Sequence, residues 1–205
     1  MPRPAPRRGY RAIDMTDRDP GNGPPRALYG RLEQMRRAIA PESSLPLGGL
    51  LASTFGAGLA VGVLGLIGSL ADAPLLIAPL GASALLVFTV PENPMAQPRN
   101  VLLGNLIAVT LGVALSHALG SGWGAAALAT ALAVLLMQVQ RALHAPAGAT
   151  AVLASFQPHD WSYIGLPVMS GAAAVVIVAL VFNNAIPGRR YPRHWFKPRE
   201  QGEKS

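Results

Sequence analysis

The chain lacks cysteine and has few aromatic or charged residues, and each shortage excludes a class of protein. Without cysteine it forms neither disulfide bonds nor thiolate metal sites. Aromatic residues make up only 6% of the 205 residues, and they do not alternate with basic residues as they do on base-stacking surfaces. We therefore expect no nucleic-acid partner, although the formal net charge is +7.

Charged residues are scarcest in the middle of the chain. Between residues 45 and 187 only five positions are charged: Asp72, Glu92, Arg99, Arg141 and Asp160. The runs between them are about 16 to 25 residues long, and about 20 apolar residues cross the hydrocarbon core of a bilayer. These runs show no amphipathic stripe of the kind that a soluble helical core requires. The pattern predicts an integral membrane protein.

Six apolar elements follow one another, and the second and fifth are interrupted by proline and glycine. Their expected bounds are 46–71, 75–90, 101–120, 123–141, 142–156 and 164–187. The sequence thus predicts an all-α membrane protein with six membrane-crossing elements. If the two interrupted elements are re-entrant instead, four spans remain.

The distribution of lysine and arginine favours six crossings. Of the 17 basic residues, nine lie before residue 38 and six lie after residue 188. With six crossings, Arg99 and Arg141 share the side of both termini, and the opposite loops contain no basic residue. Because basic residues collect on the cytoplasmic side, we expect a multi-pass protein of the bacterial inner membrane with both termini in the cytoplasm.

Two short stretches of the chain are nearly the same. Residues 79–86 read PLGASALL and residues 146–153 read PAGATAVL, 67 positions later. Each opens a helical run inside an interrupted element. Since each half contributes three crossings, the second half is inverted relative to the first. We therefore predict two inverted three-helix repeats, at 46–120 and 123–187.

These two helix starts suggest a site for a small anion. Backbone N–H groups at a helix N-terminus carry partial positive charge, and glycine permits close approach to the backbone. The predicted substrate-binding residues are Gly81, Ala82 and Ser83 in the first repeat and Gly148, Ala149 and Thr150 in the second. The alternative is that proline and glycine only kink packed helices, but the matched repeat with its hydroxyl favours a site.

Four more residues are candidates for anion binding. His144 lies inside the fifth element, where an ionisable residue suggests a function, although a histidine bonded to a nearby carbonyl is an equal alternative. Arg99, Asn100 and Arg141 are predicted to line a cytoplasmic mouth, although the arginines also fit a purely topological role. The neutral Asn105 and Asn183 are expected to bridge helices.

No metal-ligand set, Ser-His-Asp arrangement or phosphate-binding loop has a suitable context. We therefore expect no metal, no cofactor and no enzymatic activity. The partners expected are the lipid bilayer and a small anion. Small residues along the first span are also compatible with a homo-oligomer.

The regions that flank the membrane block are basic. Residues 1–24 are predicted to be a disordered basic arm, without the apolar run of a secretory signal. Residues 25–41 are predicted to form an amphipathic helix at the membrane interface or against the protein's own loops. The transmembrane domain is expected at 45–188, and 189–205 form a basic cytoplasmic tail whose aromatic residues suit a headgroup anchor.

Four ordered motifs together resemble the HPP family of integral membrane proteins. They are Pro79–Val90 (PLGASALLVFTV), Gln97–Asn100 (QPRN), His144–Ala151 (HAPAGATA) and Arg190–Trp195 (RYPRHW). The His-Pro-Pro tripeptide of the family reads His144-Ala145-Pro146 here, which keeps the histidine and the second proline. The resemblance implies a nitrite transporter, and it implies four spans where the charge pattern implies six.

Three functions are therefore in competition. The leading prediction is transport of a small monovalent anion, with nitrite first, through a central site between two opposed half-helix N-termini. The alternative is a non-transporting scaffold or sensor whose basic tails recruit partners or lipid. A membrane enzyme that uses His144 is disfavoured, because no acid–base partner lies nearby in the sequence.

Overall fold

The computed structural model of the protein describes residues 47–194, which are helical apart from their turns and loops. The helices, in chain order, are α1 (Leu47–Leu70), α2 (Ala78–Thr89), α3 (Pro98–Leu119), α4 (Trp123–Val139), α5 (Ala145–Phe156) and α6 (Ser170–Ala185). The predicted all-helical architecture is thus confirmed for these residues. The predictions for 1–24, 25–41 and the tail beyond residue 194 lie outside the described residues.

The helices fall into long and short classes. Among residues 47–194, three segments are long and apolar enough to cross a membrane: Leu47–Leu70, Pro98–Leu119 and Ile164–Ala185. Helices α2 and α5 have only 12 residues each. At 1.5 Å per residue they are about 18 Å long, against about 30 Å of hydrocarbon. We call α2 and α5 the half-helices.

Each half-helix begins one residue before the proline of its motif. Pro79 and Pro146 lie in the first turn, and the residues before the helices, Ile77 and His144, are extended. Proline suits a first turn because its fixed φ is helical and the N–H that it lacks has no partner there. The predicted interruptions are therefore helix starts, each preceded by extended chain.

The last span, predicted at 164–187, is not helical throughout. Residues 164–187 were expected to form one helix, but the chain forms a wide turn at Ile164–Met169 before α6 begins. Leu166 is not helical there, with φ −130° and ψ 121°. The cause is Pro167, which disfavours the helical conformation in the residue before it and has no N–H to donate.

The helices pack in two groups of three. Helices α1, α2 and α6 form one group, and α3, α4 and α5 form the other. The third helix of each predicted repeat therefore packs mainly with the first two helices of the other repeat. The groups meet where α2 contacts α5 and where α6 contacts α3.

Glycines let the helices of these groups approach closely. A Cβ atom at Gly112 of α3 would lie 2.6 Å from Cβ of Ala154 and 3.0 Å from the carbonyl oxygen of Ala151, both on α5. A Cβ atom at Gly104 would lie 2.8 Å from Cβ of His144. Both contacts are too short for any side chain, so the α3–α5 spacing depends on glycine.

The arginines of the described region collect at one end of the bundle. Five helix termini meet at one end of the bundle: the starts of α1 and α3 and the ends of α2, α4 and α6. We call this the arginine end, because it carries Arg99, Arg141, Arg189, Arg190 and Arg193. The opposite aspartate end carries Asp72 and Asp160, and there His117 of α3 contacts the backbone of His159.

The segment after α6 docks on the arginine end. The Arg189 guanidinium donates to the carbonyl oxygens of Gly49 (2.8 Å) and Phe88 (3.2 Å), and also to Ser53 and Asn183. The Tyr191 hydroxyl donates to the Ala96 carbonyl oxygen at 2.8 Å, and burial raises the pKa of this hydroxyl. Tyr191 is therefore a packed core residue, and its assignment to a headgroup anchor is wrong.

Gly112→Ala should lower the stability of the bundle, because the new methyl group meets Ala154 with no flexible side chain to yield. We expect a loss of about 1–3 kcal/mol, measured as thermal unfolding in detergent. Gly124→Ala is the matched control, since a Cβ atom at this helical position meets nothing within 4 Å. If the two variants unfold alike, the close α3–α5 contact is not a stability determinant.

Arg189→Ala should also destabilise the protein, because it leaves the Phe88 carbonyl group, in the last turn of α2, without its charged donor. Hydrogen bonds to charged groups contribute about 1.5–3 kcal/mol, and we expect a loss of that order in the same assay. The neighbouring Arg190→Ala removes an exposed arginine and serves as the control. An equal effect of both substitutions would point to net charge and not to these hydrogen bonds.

Candidate functional site

The two half-helices present matching faces. Ser83 and Thr150, 67 residues apart, are both buried, whereas Ala82 and Ala149 are both exposed. The correspondence extends along both helices. The exposed positions are Ala78, Ala82, Leu85 and Thr89 on α2, and Ala145, Ala149, Val152 and Phe156 on α5. The structure thus divides the predicted site residues between an inner and an outer face.

On the inner face, a buried polar pair joins the half-helices. The Nε2 atom of His144, just before α5, lies 2.8 Å from the Ser83 hydroxyl of α2. The Nδ1 atom lies 2.8 Å from the carbonyl oxygen of Met95, in the turn before α3. Because a carbonyl oxygen only accepts, Nδ1 carries a proton. His144 and Ser83 are both fully buried, so this pair is the polar centre of the α2–α5 contact.

A second buried polar pair lies between α5 and α3. The Thr150 hydroxyl donates to Oδ1 of Asn105 at 2.7 Å, and the Asn105 amide donates to the Val101 carbonyl oxygen. Asn105 therefore bridges helices, as the sequence predicted. Ser83 and Thr150 occupy equivalent places in the repeat but have different partners.

The glycines and alanines of the motifs lie elsewhere. A Cβ atom at Gly81 or Gly148 would meet nothing within 4 Å, so both face open space. The N–H groups of Leu80 and Gly81 donate to the Ile77 carbonyl oxygen at 3.0 and 3.3 Å. The amide of Gly81 is therefore not free as expected, because the helix begins three residues earlier, at Ala78. Anion binding by these residues stays a prediction.

The predicted mouth residues make structural contacts at the arginine end. The Arg99 guanidinium donates to the carbonyl oxygens of Gln140 and Arg141, at 2.9 Å each. Asn100 donates to the Leu143 carbonyl oxygen at 3.1 Å. Arg141 has a left-handed backbone (φ 50°), and the next N–H, of Ala142, donates to Met137. The three residues thus cap α4 and hold the extended chain that leads to His144.

Two cavities open at the aspartate end. The larger, about 550 Å³, is lined by Ser116, His117, Gly120, Ser121, Pro158, His159 and Asp160. The smaller, about 410 Å³, lies beside the end of α1 and includes Asp72. In the larger cavity, burial lowers the pKa of His159. A hydrogen bond with the backbone of Leu153 and the charge of Asp160 both act in the opposite direction. The side chains of His117, His159 and Asp160 border this opening.

Sequence reasoning missed two residues of this site and the partner of a third. Met95 supplies the carbonyl group that fixes the His144 ring, and Gly104 leaves room for His144 beside α3. Asn105 was expected to bridge helices, but its pairing with Thr150 was not predicted. Gly104 had a sequence signal as well, since it lies 67 residues before Gly171, where Leu80 of α2 also leaves no room for a Cβ atom. Within residues 47–194, no three His, Asp or Glu side chains come together as metal ligands would.

Thr150→Val should destabilise the protein, because the Asn105 carbonyl group would remain buried without its donor. The expected cost is about 1–3 kcal/mol in thermal unfolding. Thr130→Val is the control, since the buried hydroxyl of Thr130 has no hydrogen-bond partner within the described residues and its loss should change stability little. A larger loss for Thr130→Val than for Thr150→Val would contradict the assigned pairing.

Comparison with known proteins identifies the family. The HPP transmembrane region matches residues 42–192. Two transmembrane proteins of Dictyostelium discoideum are each 37% identical to the chain, over 134 and 129 residues. These matches cover 62% and 59% of the chain but 47% and 42% of the relatives, so the chain spans about half the length of the curated relatives that it matches. No solved structure matches the chain. Because the match covers nearly the whole membrane block, the chain belongs to the HPP family of transmembrane proteins.

Proposed function

We propose that the protein transports a small monovalent anion across a membrane, with nitrite as the first candidate, along the contact between α2 and α5. The observation that carries this proposal is the buried Ser83–His144 pair, which joins the two half-helices inside the bundle. An ionisable side chain within a membrane domain is costly, and it usually marks the path of an ion or substrate. Membership of the HPP family agrees with membrane transport in general.

The half-helices are suited to this role because they begin within the bundle. Hydrocarbon does not satisfy the extended backbone before Ala78 and Ala145, so this backbone has to face protein or a water-filled space. Transporters commonly place such broken helices at their substrate sites, with the positive N-terminal ends toward an anion. In this proposal Ser83, His144 and Thr150 supply the polar groups from inside, and the N-terminal ends of α2 and α5 supply partial positive charge through their helix dipoles.

The proposed selectivity follows from the weak positive charge of the path. All five arginines of the described region lie at the arginine end, and no Lys or Arg lies between the ends. Helix dipoles, hydroxyl groups and one imidazole compensate a single negative charge better than two or three. A small monovalent anion therefore fits, and the family resemblance makes nitrite the candidate to test first.

The proposed topology has six crossings, with the arginine end in the cytoplasm of a bacterial cell. Support comes from α5, which starts beside the first turns of α3 and ends beside Gly122, at the start of α4. It thus runs from the arginine end toward the aspartate end. The loops of the aspartate end contain no Lys or Arg, as an external side requires.

We also propose that the two halves are inverted repeats. The motif spacing of 67 residues recurs in the matching faces of α2 and α5 and in the paired glycines Gly104 and Gly171. The reciprocal packing of α3 and α6 with the opposite halves supports the same symmetry. A two-fold axis in the membrane plane would relate such halves.

The test is anion uptake by liposomes that contain the purified protein. Nitrite, nitrate, formate and chloride are compared in parallel at neutral pH or above, and protein-free liposomes give the leak. We expect nitrite uptake well above the leak. Ser83→Ala should lower it about tenfold, because one hydrogen bond to the ion contributes on the order of 1.4 kcal/mol.

Ser155→Ala is the matched control for Ser83→Ala. It also removes a buried serine hydroxyl, but this hydroxyl bonds to the carbonyl group of Ala151 in its own helix, away from His144. Uptake of nitrite should be unchanged in the control. Uptake no faster than the leak for all four anions contradicts the proposed function, and an equal loss in both serine variants contradicts the proposed path.

A further inference from the structure

The hydrogen bonds around His144 are incomplete when its ring is neutral. With Nδ1 protonated toward Met95, Nε2 has a lone pair and requires the hydroxyl proton of Ser83. The Ser83 hydroxyl also lies 3.0 Å from the carbonyl oxygen of Pro79, which accepts as well. One proton cannot serve both acceptors, so in the neutral state the contact with Pro79 lacks its hydrogen.

A second proton on His144 completes the set. Nε2 then donates to the Ser83 oxygen, and the freed Ser83 proton turns to the Pro79 carbonyl group. Every polar atom of the chain from Met95 through His144 and Ser83 to Pro79 is then paired once. The geometry therefore accommodates the imidazolium with only the rotation of one hydroxyl group.

The imidazolium would, however, lie in an unfavourable field. His144 directly precedes α5, so its positive charge would add to the positive end of that helix. An anion at the same place would reverse this penalty. Binding of the proton and binding of the anion should therefore favour each other, and this coupling is reciprocal.

Within residues 47–194, no other titratable side chain of the elements packed around His144 is placed to take this proton. The Tyr191 hydroxyl, which lies near Met95, donates to the Ala96 carbonyl oxygen. Helices α2, α4 and α5 contain no titratable side chain. On α3, Arg99 is directed to the carbonyl groups that follow α4, and His117 lies at the far end. Before α3, Glu92 is paired with Arg193, and Arg141 is exposed at the surface.

We propose that Nε2 of His144 binds a proton that crosses the membrane together with the anion, which makes the transport an electroneutral co-transport. This inference rests on the proposed function. The proton adds to the Nε2 lone pair from water on the side where the anion enters, and it returns to water on the other side when the anion leaves. No other bond is made or broken, and Ser83 changes from donor to acceptor and back.

The experiment follows nitrite uptake and internal pH together in liposomes that contain the protein. A potassium gradient with valinomycin sets the membrane potential, and protein-free liposomes give the passage of nitrous acid through lipid. Above this leak, we expect about one proton to enter with each nitrite, because one imidazole nitrogen titrates. The uptake rate should not change when the imposed potential is reversed, since the pair carries no net charge.

Two variants assign the proton to His144. His144→Gln replaces the imidazole by a neutral amide that can still hydrogen-bond but cannot bind the proton, so the ratio of protons to nitrite should fall from about one to zero. A folded His144→Gln protein that transports neither nitrite nor protons supports the proposal equally. If nitrite crosses only together with a proton, it cannot cross without the proton-binding site. Ser83→Ala retains the imidazole and should keep the ratio at about one while the rate falls.

The outcomes separate this inference from the proposed function. Nitrite uptake that responds to the potential without internal acidification overturns the co-transport and leaves anion transport intact. Proton entry that persists at the same ratio in His144→Gln overturns the assignment to His144. If the wild-type protein takes up no anion above the leak, the proposed function itself fails.

Discussion

The architecture depends on one constraint: backbone polar groups within a bilayer have no water to bond with. A helix that spans the bilayer without a break pairs its own backbone N–H and C=O groups. A helix that starts inside the bundle leaves the residues before it in need of other partners. Here the extended residues before α2 and α5 are held by neighbouring parts of the chain. Arg99 and Asn100 bind the carbonyl groups between α4 and α5, and the loop before α2 folds back on Gly68 of α1. Non-helical backbone thus occurs where neighbouring residues supply its hydrogen-bond partners.

The same constraint explains the position of the polar side chains. Ser83, His144, Asn105 and Thr150 are all buried, and each has a hydrogen-bond partner on another element. Their bonds tie the half-helices to each other and to α3, so the polar centre is part of the structural framework. Because the hydrogen bonds of His144 change with its protonation state, a change of protonation also changes the contact between α2 and α5.

Features that depend on local chemistry could be predicted from the sequence. Pro79 and Pro146 fix helix starts because the ring sets φ and removes the N–H of the residue itself, and apolar run length gave the long helices to within a few residues. The break at Leu166 has the same local cause, but Pro167 lies within a strongly apolar run, and run length alone predicts a continuous span there. Contacts between distant residues, such as His144 with Met95 or Arg189 with Gly49, leave no such mark in one sequence.

The reciprocal packing of α3 and α6 has a consequence for the assembly of the protein. Helix α3 finds its main partners, α4 and α5, only after they have been synthesised, and α1 and α2 are completed only by α6, the last of the six described helices. Neither half can therefore mature alone as the ribosome releases it. Helices α1 and α2 have to wait in the membrane, unpaired or held by the insertion machinery, until α6 completes their group, whereas α3 waits only for α4 and α5.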